Sequence, residues 1–459
     1  MSPLGNAVIE RRSLPVRVMQ IGAGNFLRGF ADWMIHQANV AGVLEHGVAV
    51  LKVTPRAGEV MSGLTEQDGR FHVVLDGMRD GQPFTEVTLV DVVREAVDAY
   101  ADWDRCRELA CGDDLRLVVS NTTEAGIVYV DDDLTATPPA SFPAKMAVLL
   151  HERWRHFGGD PARGLFFLPC ELNEDNGQAL RDAVLRHARQ LSPDFAGWVA
   201  AHCRFYDTIV DRIVPGLADV EGDRLAVRAE HYARWAIAGD PAIRDEFPLD
   251  RAGLPVEFLD DIRPFREKKV RVLNGAHTAL AAVGPLLGCT TVAEAVAHPL
   301  AGGYVRRLLD DEVLPTLPPA AVEFAGATLE RFSNPALQHR LADISLNAVA
   351  KWHTRNLPVL LDRWQAGGDA PLTAFALAVL LTGYAGGLGT YPARDDAEVI
   401  SRVRDGFSTA DPDTWLAGLL PSLPGAVPAA AERLAVEVAQ HVRTILDAGA
   451  AAALEKVTR

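Results

Sequence analysis

Residues 16–27 read VRVMQIGAGNFL, a short apolar run that leads directly into Gly22 and Gly24. The run predicts a buried strand, and the apolar period that continues to about Val40 predicts a helix. Between the two, Gly22 permits a tight turn and Gly24 lets the backbone approach a pyrophosphate at the helix N-terminus. The stretch therefore indicates a dinucleotide-binding loop, although Leu27 stands where a third glycine is usual. A purely structural turn is the alternative.

The rest of the first half repeats this alternation of strand and helix. Apolar strands are predicted near residues 48–53, 115–120 and 164–170, and the segments AKMAVLLHERWRHF and NGQALRDAVLRHARQL read as helices. Strands that alternate with helices form parallel βαβ units, so we expect an open α/β sheet. From about Pro264 onward, alanine-rich periodic segments predict a mostly α-helical second part. We place the boundary after residue 260, which gives domains of 1–260 and 261–459.

Composition narrows the class of protein. The chain has 459 residues, of which 48% are apolar and 23% are charged, and its formal net charge is -16. An acidic chain is repelled by nucleic acid and anionic membranes, so we expect neither as a partner. The five cysteines lack C-x-x-C spacing, which predicts free thiols rather than a disulfide framework or a zinc site. The sequence contains neither a signal-peptide pattern nor a long apolar run, so we expect a cytoplasmic protein.

Two further strand ends carry candidate cofactor contacts. Thr54, Pro55 and Arg56 follow the second strand, at a corner where a carboxylate favours NAD and an arginine can favour NADP. The corner has no carboxylate, and Arg56 either pairs with a 2′-phosphate or stacks on adenine, so the choice stays open. A later strand ends in SNTTEAG, where an open α/β sheet binds its ligand. The predicted cofactor-binding set is Ile21, Gly22, Gly24, Asn25, Phe26, Thr54, Arg56, Asn121, Thr122, Thr123 and Glu124.

The segment KKVRVLNGAHT, residues 268–278, places Lys269, Asn274 and His277 close together. A lysine with a lowered pKa serves as general acid or base, and an asparagine and a histidine donate to a developing alkoxide. On a helix, Asn274 and His277 are neighbours on one face, and Lys269 lies more than one turn earlier. The spacing alone leaves two interpretations. One is a carbonyl-reduction site without metal, and the other is an exposed lysine, a capping asparagine and a core histidine.

The K-x4-N-x2-H spacing of these three residues resembles the signature of the polyol-specific long-chain dehydrogenases, the mannitol dehydrogenase family. IGAGNFLRGF (21–30), IVDRIVP (209–215) and RFSNP (331–335) are similar to other segments of that family, so the resemblance spans nearly the whole chain. It implies an α/β Rossmann-type N-terminal domain followed by a mostly α-helical C-terminal domain that carries the substrate site. It also implies that Lys269 is the catalytic acid/base and that Asn274 and His277 polarise the carbonyl.

Within the family, VVSNTTEAGI, LPCELNEDNG and DTIVDRIVPG are most similar to the branch that reduces the keto-uronate D-tagaturonate to D-altronate. The mannitol and fructuronate branches typically read C-D-N-L-P-x-N-G at the second segment. This chain reads CELNEDNG from Cys170 to Gly177, so Leu172 stands in place of a substrate-contacting asparagine. The departure argues against a mannitol-type site.

The resemblance also implies a set of substrate contacts. Asp211 matches a substrate-contacting carboxylate, with a salt bridge to Arg212 as the alternative. A uronate carries a carboxylate, which a bidentate arginine or a lysine binds well. Arg340, Lys351 and Arg355 are therefore the candidate partners of that carboxylate, and the alternative for each is a solvated surface charge.

The prediction is an NAD-dependent oxidoreductase of hexuronate catabolism, with NADP not excluded, that takes a small sugar-acid substrate and needs no metal. We expect a monomer or a homodimer. Two other interpretations stay open. One is another branch of the same family, which acts on fructuronate, mannitol or arabinitol, and the other is a nucleotide-binding sensor that has lost catalysis.

Overall fold

The computed structural model describes residues 12–55, 58–79 and 82–459. The chain divides into two compact units. The first consists of Met1–Gly77 and Phe84–Arg263, and the second of Met78–Pro83 and Pro264–Arg459. The predicted division into functional domains after residue 260 stays a prediction.

The strands of the described residues arrange into three sheets, of six, four and three strands. Their orders are β5-β2-β1-β6-β7-β8, β10-β11-β3-β4 and β13-β12-β9. The strands are β1 (Val16–Ile21), β2 (Gly47–Lys52), β3 (Phe71–Arg79), β4 (Gln82–Val90), β5 (Val93–Asp98), β6 (Leu117–Ser120), β7 (Phe166–Pro169), β8 (Arg204–Phe205), β9 (Asp207–Asp211), β10 (Gly216–Leu217), β11 (Val227–Glu230), β12 (Arg234–Ala238) and β13 (Val256–Leu259).

The six-stranded sheet is parallel at every pairing of neighbouring strands. Its strand order reverses direction between β1 and β6, which is the switch point where an open α/β sheet binds its ligand. Alternate side chains of β1 face opposite sides of the sheet. Val18 packs with Phe30 on one side, and Ile21 packs with Phe142 on the other. The predicted Rossmann-type α/β domain is confirmed.

Helices connect the strands of this unit. A π-helical turn, Arg28–Asp32, joins α1 to α2, so one helix runs from residue 25 to residue 40. The helices are α1 (Asn25–Leu27), α2 (Trp33–Val40), α3 (Glu59–Glu66), α4 (Trp103–Ala110), α5 (Phe142–His156), α6 (Asn176–Leu191), α7 (Pro193–His202) and α8 (Ile243–Glu246).

The two smaller sheets were predicted only in part from the sequence. The segments FHVVL (71–75) and VTLVDVV (87–93) predict a hairpin or meander, and β3 and β4 of the four-stranded sheet are found there. No strand was predicted between residues 204 and 259, where β8 to β13 lie. These strands have two to five residues each. Segments of that length are too short for a period of two to be distinguished from a helix or a turn.

The second unit is built from helices, as predicted. Every residue of α17 from Leu372 to Tyr384 is buried, and the helix packs against α10 and α20. The helices are α9 (Arg263–Lys269), α10 (Gly275–Val283), α11 (Val292–Ala297), α12 (Pro299–Arg307), α13 (Ala321–Phe332), α14 (Leu341–Ile344), α15 (Ala348–Arg355), α16 (Leu357–Gln365), α17 (Pro371–Tyr384), α18 (Ala397–Arg404), α19 (Pro412–Leu419), α20 (Pro428–Ala448) and α21 (Ala450–Thr458).

The structure also describes the cysteines and the apolar character of the helices. The five cysteines are free thiols, and Cys106, Cys170 and Cys203 are buried. Among the helices of the described ranges, none combines the length and the apolar character that a membrane crossing requires.

Candidate active site

The turn between β1 and α1 packs the backbone of Gly22 against the loop that follows β6. Gly22 has a φ of +106°, and a Cβ at this position would lie 3.1 Å from the carbonyl oxygen of Asn121. Only glycine adopts this positive φ and allows this close contact without strain. A Cβ at Gly24, by contrast, would meet nothing within 4 Å, so the backbone there faces open space. The turn leaves room for a phosphate group beside the N-terminus of the helix at Asn25, and the residues fit a dinucleotide.

The other predicted contacts of this loop differ in exposure. Ile21 is fully buried and serves the core. The Asn25 side-chain oxygen accepts a hydrogen bond from the Arg28 guanidinium at 2.6 Å, and the Phe26 ring stacks on Phe30 with centroids 5.1 Å apart. Thr54 is exposed just beyond β2. Arg56, on which the choice between NAD and NADP was expected to depend, lies outside the described residues.

The loops after β6 and β7 are joined by hydrogen bonds that the sequence analysis did not anticipate. The buried carboxylate of Glu171 accepts from the Thr122 backbone N–H at 2.8 Å, from the Thr122 hydroxyl at 2.9 Å and from the Ser120 hydroxyl at 3.0 Å. The Asn121 amide donates to the Cys170 carbonyl at 2.9 Å. Burial raises the pKa of Glu171, and the bonds from Thr122 and Ser120 oppose that shift.

These bonds change what the predicted cofactor contacts in that loop can offer. The side chains of Asn121 and Thr122 are occupied within the protein, so they hold the loop in place. Thr123 is exposed, and Glu124 begins a short 3₁₀ turn, Glu124–Ile127. The only sign of Glu171 in the sequence is its position, a charged residue directly after the apolar strand LFFLPC.

Two other predicted positions also lie in this unit. Leu172, in the loop after β7, is 65% exposed and has no polar group to offer a substrate. Asp211 ends β9 and is buried. Its neighbour Arg212 donates to the backbone carbonyls of Gly29, His231 and Tyr232 at 2.7, 3.1 and 3.2 Å.

In the second unit, Lys269, Asn274 and His277 lie on one continuous helix with a π-helical turn at Val270–Asn274. The Gly275 N–H donates to the Val270 carbonyl, five residues earlier. In an α-helix, residues five apart lie roughly 140° apart around the axis. The wider π turn reduces this angle and brings Asn274 toward the side of the helix that carries Lys269. Such turns are frequent at functional sites.

His277 lies in a tightly packed, positively charged environment. The imidazole stacks on Phe332 with centroids 4.1 Å apart and meets the edge of His339 at 4.8 Å. Its Nε2 atom is buried and has no hydrogen-bond partner among the described residues. Burial lowers the pKa of His277 well below its usual value, and the nearby His339, Arg331, Arg355 and Lys269 lower it further. The imidazole is therefore neutral at physiological pH.

The three candidate carboxylate partners differ in their relation to this helix. Arg355 is partly buried, and its guanidinium donates to the Thr278 hydroxyl at 3.2 Å. Thr278 in turn donates to the Asn274 carbonyl at 3.0 Å. Burial lowers the pKa of Arg355 to about 10.

Lys351 and Arg340 are placed differently. The Lys351 ammonium donates to the Ile344 carbonyl at 2.9 Å, and burial together with Arg355 lowers its pKa to about 8. Arg340 is exposed, and its backbone pairs with Thr291. The structure thus brings Arg355 to the helix that carries Asn274 and His277, and leaves the Arg340 side chain at the surface.

Sequence reasoning missed other groups around this helix. Arg331 and His339 lie near His277, and Asn356 donates to the Gly275 carbonyl at 3.2 Å. Arg331 begins the RFSNP segment, whose similarity to the family did not by itself assign a role to the arginine. His339 and Asn356 are distant from the helix in sequence, and they come near it because α14 and α15 pack against α10. Within the described ranges, no three His, Cys, Asp or Glu side chains come together as metal ligands would.

Two family descriptions match this chain and together cover most of it. Residues 16–250 match the mannitol dehydrogenase Rossmann domain, and residues 261–390 match the mannitol dehydrogenase C-terminal domain. The chain belongs to the mannitol dehydrogenase family.

Two curated relatives from this family share much of the sequence. The altronate oxidoreductase of Bacillus subtilis (strain 168) is 41% identical over 385 residues, which cover 81% of this chain and 80% of the relative. The altronate oxidoreductase of Pectobacterium carotovorum subsp. carotovorum (strain PC1) is 37% identical over 496 residues and covers 99% of both chains.

A solved structure agrees in fold with this chain. The Pseudomonas fluorescens mannitol 2-dehydrogenase, in a ternary complex with NAD and D-mannitol, superposes with a TM-score of 0.76 at 22% sequence identity. The match covers 97% of this chain and 94% of that chain. At that identity the likeness establishes the shared fold.

The Glu171 carboxylate should stabilise the switch-point loops of this family member. We predict that Glu171→Leu lowers the free energy of unfolding by about 1–3 kcal/mol, because it leaves buried donors of Ser120 and Thr122 without an acceptor. Glu171→Gln keeps an acceptor for Thr122, so its free energy of unfolding should fall less. Chemical denaturation would measure both variants beside Glu174→Leu, an exposed position in the same loop. Equal losses at the two positions would contradict this role.

Proposed function

We propose that this protein is a tagaturonate reductase, which reduces D-tagaturonate reversibly to D-altronate with NAD(H) as cofactor and without a metal. The observation that carries the proposal is the helix with Lys269, Asn274 and His277, to which Arg355 is attached through Thr278. The high identity to two altronate oxidoreductases over most of the chain supports the same activity.

The proposed chemistry needs one proton donor and two groups that stabilise an oxygen. Bound reduced nicotinamide supplies a hydride to the ketone carbon. Lys269, as an ammonium, gives a proton from Nζ to the ketone oxygen as the carbon–oxygen double bond becomes a single bond. Asn274 and the neutral His277 donate hydrogen bonds to that oxygen while it carries negative charge. In the reverse direction, neutral Lys269 takes the hydroxyl proton of altronate.

A neutral His277 suits this role. An imidazolium beside the Lys269 ammonium would repel it and would make its proton easier to lose before substrate arrives. The pKa of His277 is lowered by burial first and then by the surrounding cations, so the imidazole stays uncharged. It therefore acts as a hydrogen-bonding group whose charge does not change over the physiological range.

The positive charge around the helix favours an anionic substrate. Arg355 and Lys351 are partly buried beside this helix, and burial lowers the pKa of both side chains. The carboxylate of a sugar acid would stabilise their charged forms, whereas mannitol or arabinitol carries no charge. Asp211 is proposed as a further substrate contact. The exposed Arg340 is the least favoured of the candidate carboxylate partners.

The glycine turn supports a dinucleotide, with Gly22, Gly24 and Asn25 at the phosphates. NAD is proposed as the cofactor, and a direct comparison with NADP tests the choice. The predicted cytoplasmic location and the monomeric or homodimeric state stay predictions.

The proposed substrate is tested by comparing ketones side by side. We expect chelator-treated protein to oxidise NADH rapidly with D-tagaturonate, and much more slowly with D-fructuronate or fructose. The decrease in absorbance at 340 nm would report the rate, and NADPH in parallel would report the cofactor preference. Preference for fructose would contradict the carboxylate-binding site. Preference for D-fructuronate would place the protein in the other keto-uronate branch, and NADH binding without turnover on any of them would indicate a sensor.

Lys269 is tested as the proton donor. Lys269→Ala should reduce kcat by at least about 10²-fold while NADH affinity stays unchanged, because general acid catalysis contributes that much and the side chain does not bind the cofactor. Stopped-flow reduction of D-tagaturonate and a fluorescence titration with NADH would measure the two quantities. Lys268→Ala, whose ammonium lies over the Phe265 and Phe324 rings, is the matched control. Near-normal turnover by Lys269→Ala would refute the assignment.

The carboxylate partner is tested with two arginines of different exposure. Arg355→Leu should lower kcat/KM for D-tagaturonate by about 10²-fold, which corresponds to the loss of one charge-assisted hydrogen-bonded pair. Arg340→Leu should change it less than about threefold, because its side chain is solvated. Steady-state kinetics with varied D-tagaturonate would decide. A larger loss of kcat/KM from Arg340→Leu would indicate that Arg340, and not Arg355, binds the substrate carboxylate.

A further inference from the structure

The first unit contains a buried carboxyl group that the proposed chemistry does not use. Asp32 ends the π turn of the helix that follows the glycine loop, and the side chain is completely buried. A buried carboxyl group is costly unless it is paired or protonated. The groups around Asp32 connect this carboxyl to the glycine loop.

Gln20 connects Asp32 to the glycine loop. The side-chain amide nitrogen of Gln20, on β1, donates to the Gly22 carbonyl at 3.2 Å and to the Asp32 carboxyl at 3.3 Å. An amide nitrogen has two N–H bonds, so both are used. Asp32 holds the Gln20 side chain, and Gln20 in turn holds the Gly22 carbonyl. The position of the turn that would receive phosphate therefore depends on Asp32.

Arg28 holds the other end of the same turn. Its guanidinium donates to the Asn25 side chain at 2.6 Å and to the Leu225 carbonyl. Arg28 is as buried as Gln20 and Asp32, and its positive charge acts on Asp32 from one turn earlier. The loop from Gly22 to Asn25 is therefore fixed at both ends by buried side chains of β1 and the helix.

We propose that Asp32 is a positioning residue that sets the phosphate-binding turn through Gln20, and that its protonated form favours dinucleotide binding. This inference rests on the proposed use of a dinucleotide, and it does not depend on which sugar acid is reduced.

Hydrogen bonding supports the protonated form. Asp32 Oδ1 and Gln20 Oε1 are buried acceptors, and neither has a hydrogen-bond partner among the residues that the structure describes. An ionised Asp32 would be stabilised by one hydrogen bond, from the Gln20 amide, and by the positive charge of Arg28. Burial raises the pKa of Asp32 to about 7, although Gln20 and Arg28 oppose the shift. Protonation also turns one of the carboxyl oxygens into a donor.

The charge on Asp32 should affect how tightly the dinucleotide binds. Asp32 lies seven residues after Asn25, or roughly 10 Å along the helix at the usual rise. A negative charge at that distance from a pyrophosphate would weaken its binding by roughly tenfold at an intermediate dielectric constant. Dinucleotide affinity should therefore be high below pH 7 and should fall as the pH rises and Asp32 ionises.

Other titratable groups face the same helix. Asp223 lies near Arg28, Arg212 covers Trp33, and His36 contacts Asp91 at 2.9 Å one turn beyond Asp32. Because other ionisable side chains face this helix, a pH dependence of the wild type alone would not identify Asp32.

The test is a fluorescence titration with NADH between pH 5.5 and 8.5, without sugar acid. The wild type should lose roughly tenfold in affinity across this range. Asp32→Asn should bind tightly at every pH, because the amide keeps an acceptor for Gln20 and carries no charge. Asp91→Asn, which removes the partner of His36, should keep the slope of the wild type. Gln20→Leu should bind weakly throughout, and circular dichroism would check that it is folded.

Each outcome decides between the proposals. An Asp32→Asn slope equal to that of the wild type would overturn the role of Asp32, whether or not Gln20→Leu folds. Tight binding by folded Gln20→Leu would overturn the link to the turn. Tight NADH binding without turnover of any keto-uronate would overturn the proposed function and leave this inference intact. A wild type that binds neither NADH nor NADPH at any pH would overturn both.

Discussion

The first unit depends on the close approach of Gly22 to the Asn121 carbonyl. A Cβ at Gly22 would lie 3.1 Å from this oxygen, a tight contact, and the φ of +106° would strain any other residue. The approach joins the ends of β1 and β6 at the switch point of the sheet. The hydrogen bonds of Glu171 and Gln20 then fix the two loops on either side of it. The turn proposed to bind phosphate is therefore held by hydrogen bonds within the protein, an arrangement that lowers the entropy cost of binding.

The second unit is organised by the π turn in its first long helix. One extra residue in that turn reorients Asn274 relative to Lys269, and the Thr278 and Asn356 side chains hold the backbone around it. Around the same turn lie several cations and a neutral histidine. Burial lowers the pKa of His277, and the surrounding positive charge lowers it further. The same positive charge underlies the proposal that the substrate is an anionic sugar acid.

Much of the fold and part of the candidate site could be predicted from the sequence, because the patterns that indicate them lie in short segments. The strand VRVMQI and the glycines after it have a period and a backbone requirement that neighbouring residues do not alter. The helices of the second unit follow from alanine content and period, and the spacing of Lys269, Asn274 and His277 places them on one helix. The short strands β8 to β13 were not predicted, because two to five residues carry too little pattern.

The sequence by itself determined the Rossmann-type sheet and the helical second unit, since each depends on residues that are close in the chain, and its resemblance to the family named Lys269 as the candidate acid/base. The tertiary structure decided which candidate charges lie beside the helix that carries Lys269. Arg355 and Arg340 are equivalent in the sequence, yet one contacts Thr278 and the other is exposed. Glu171, Asp32 and His339 became visible as candidates only when folding brought distant segments together, because burial and hydrogen bonding are properties of the packed chain.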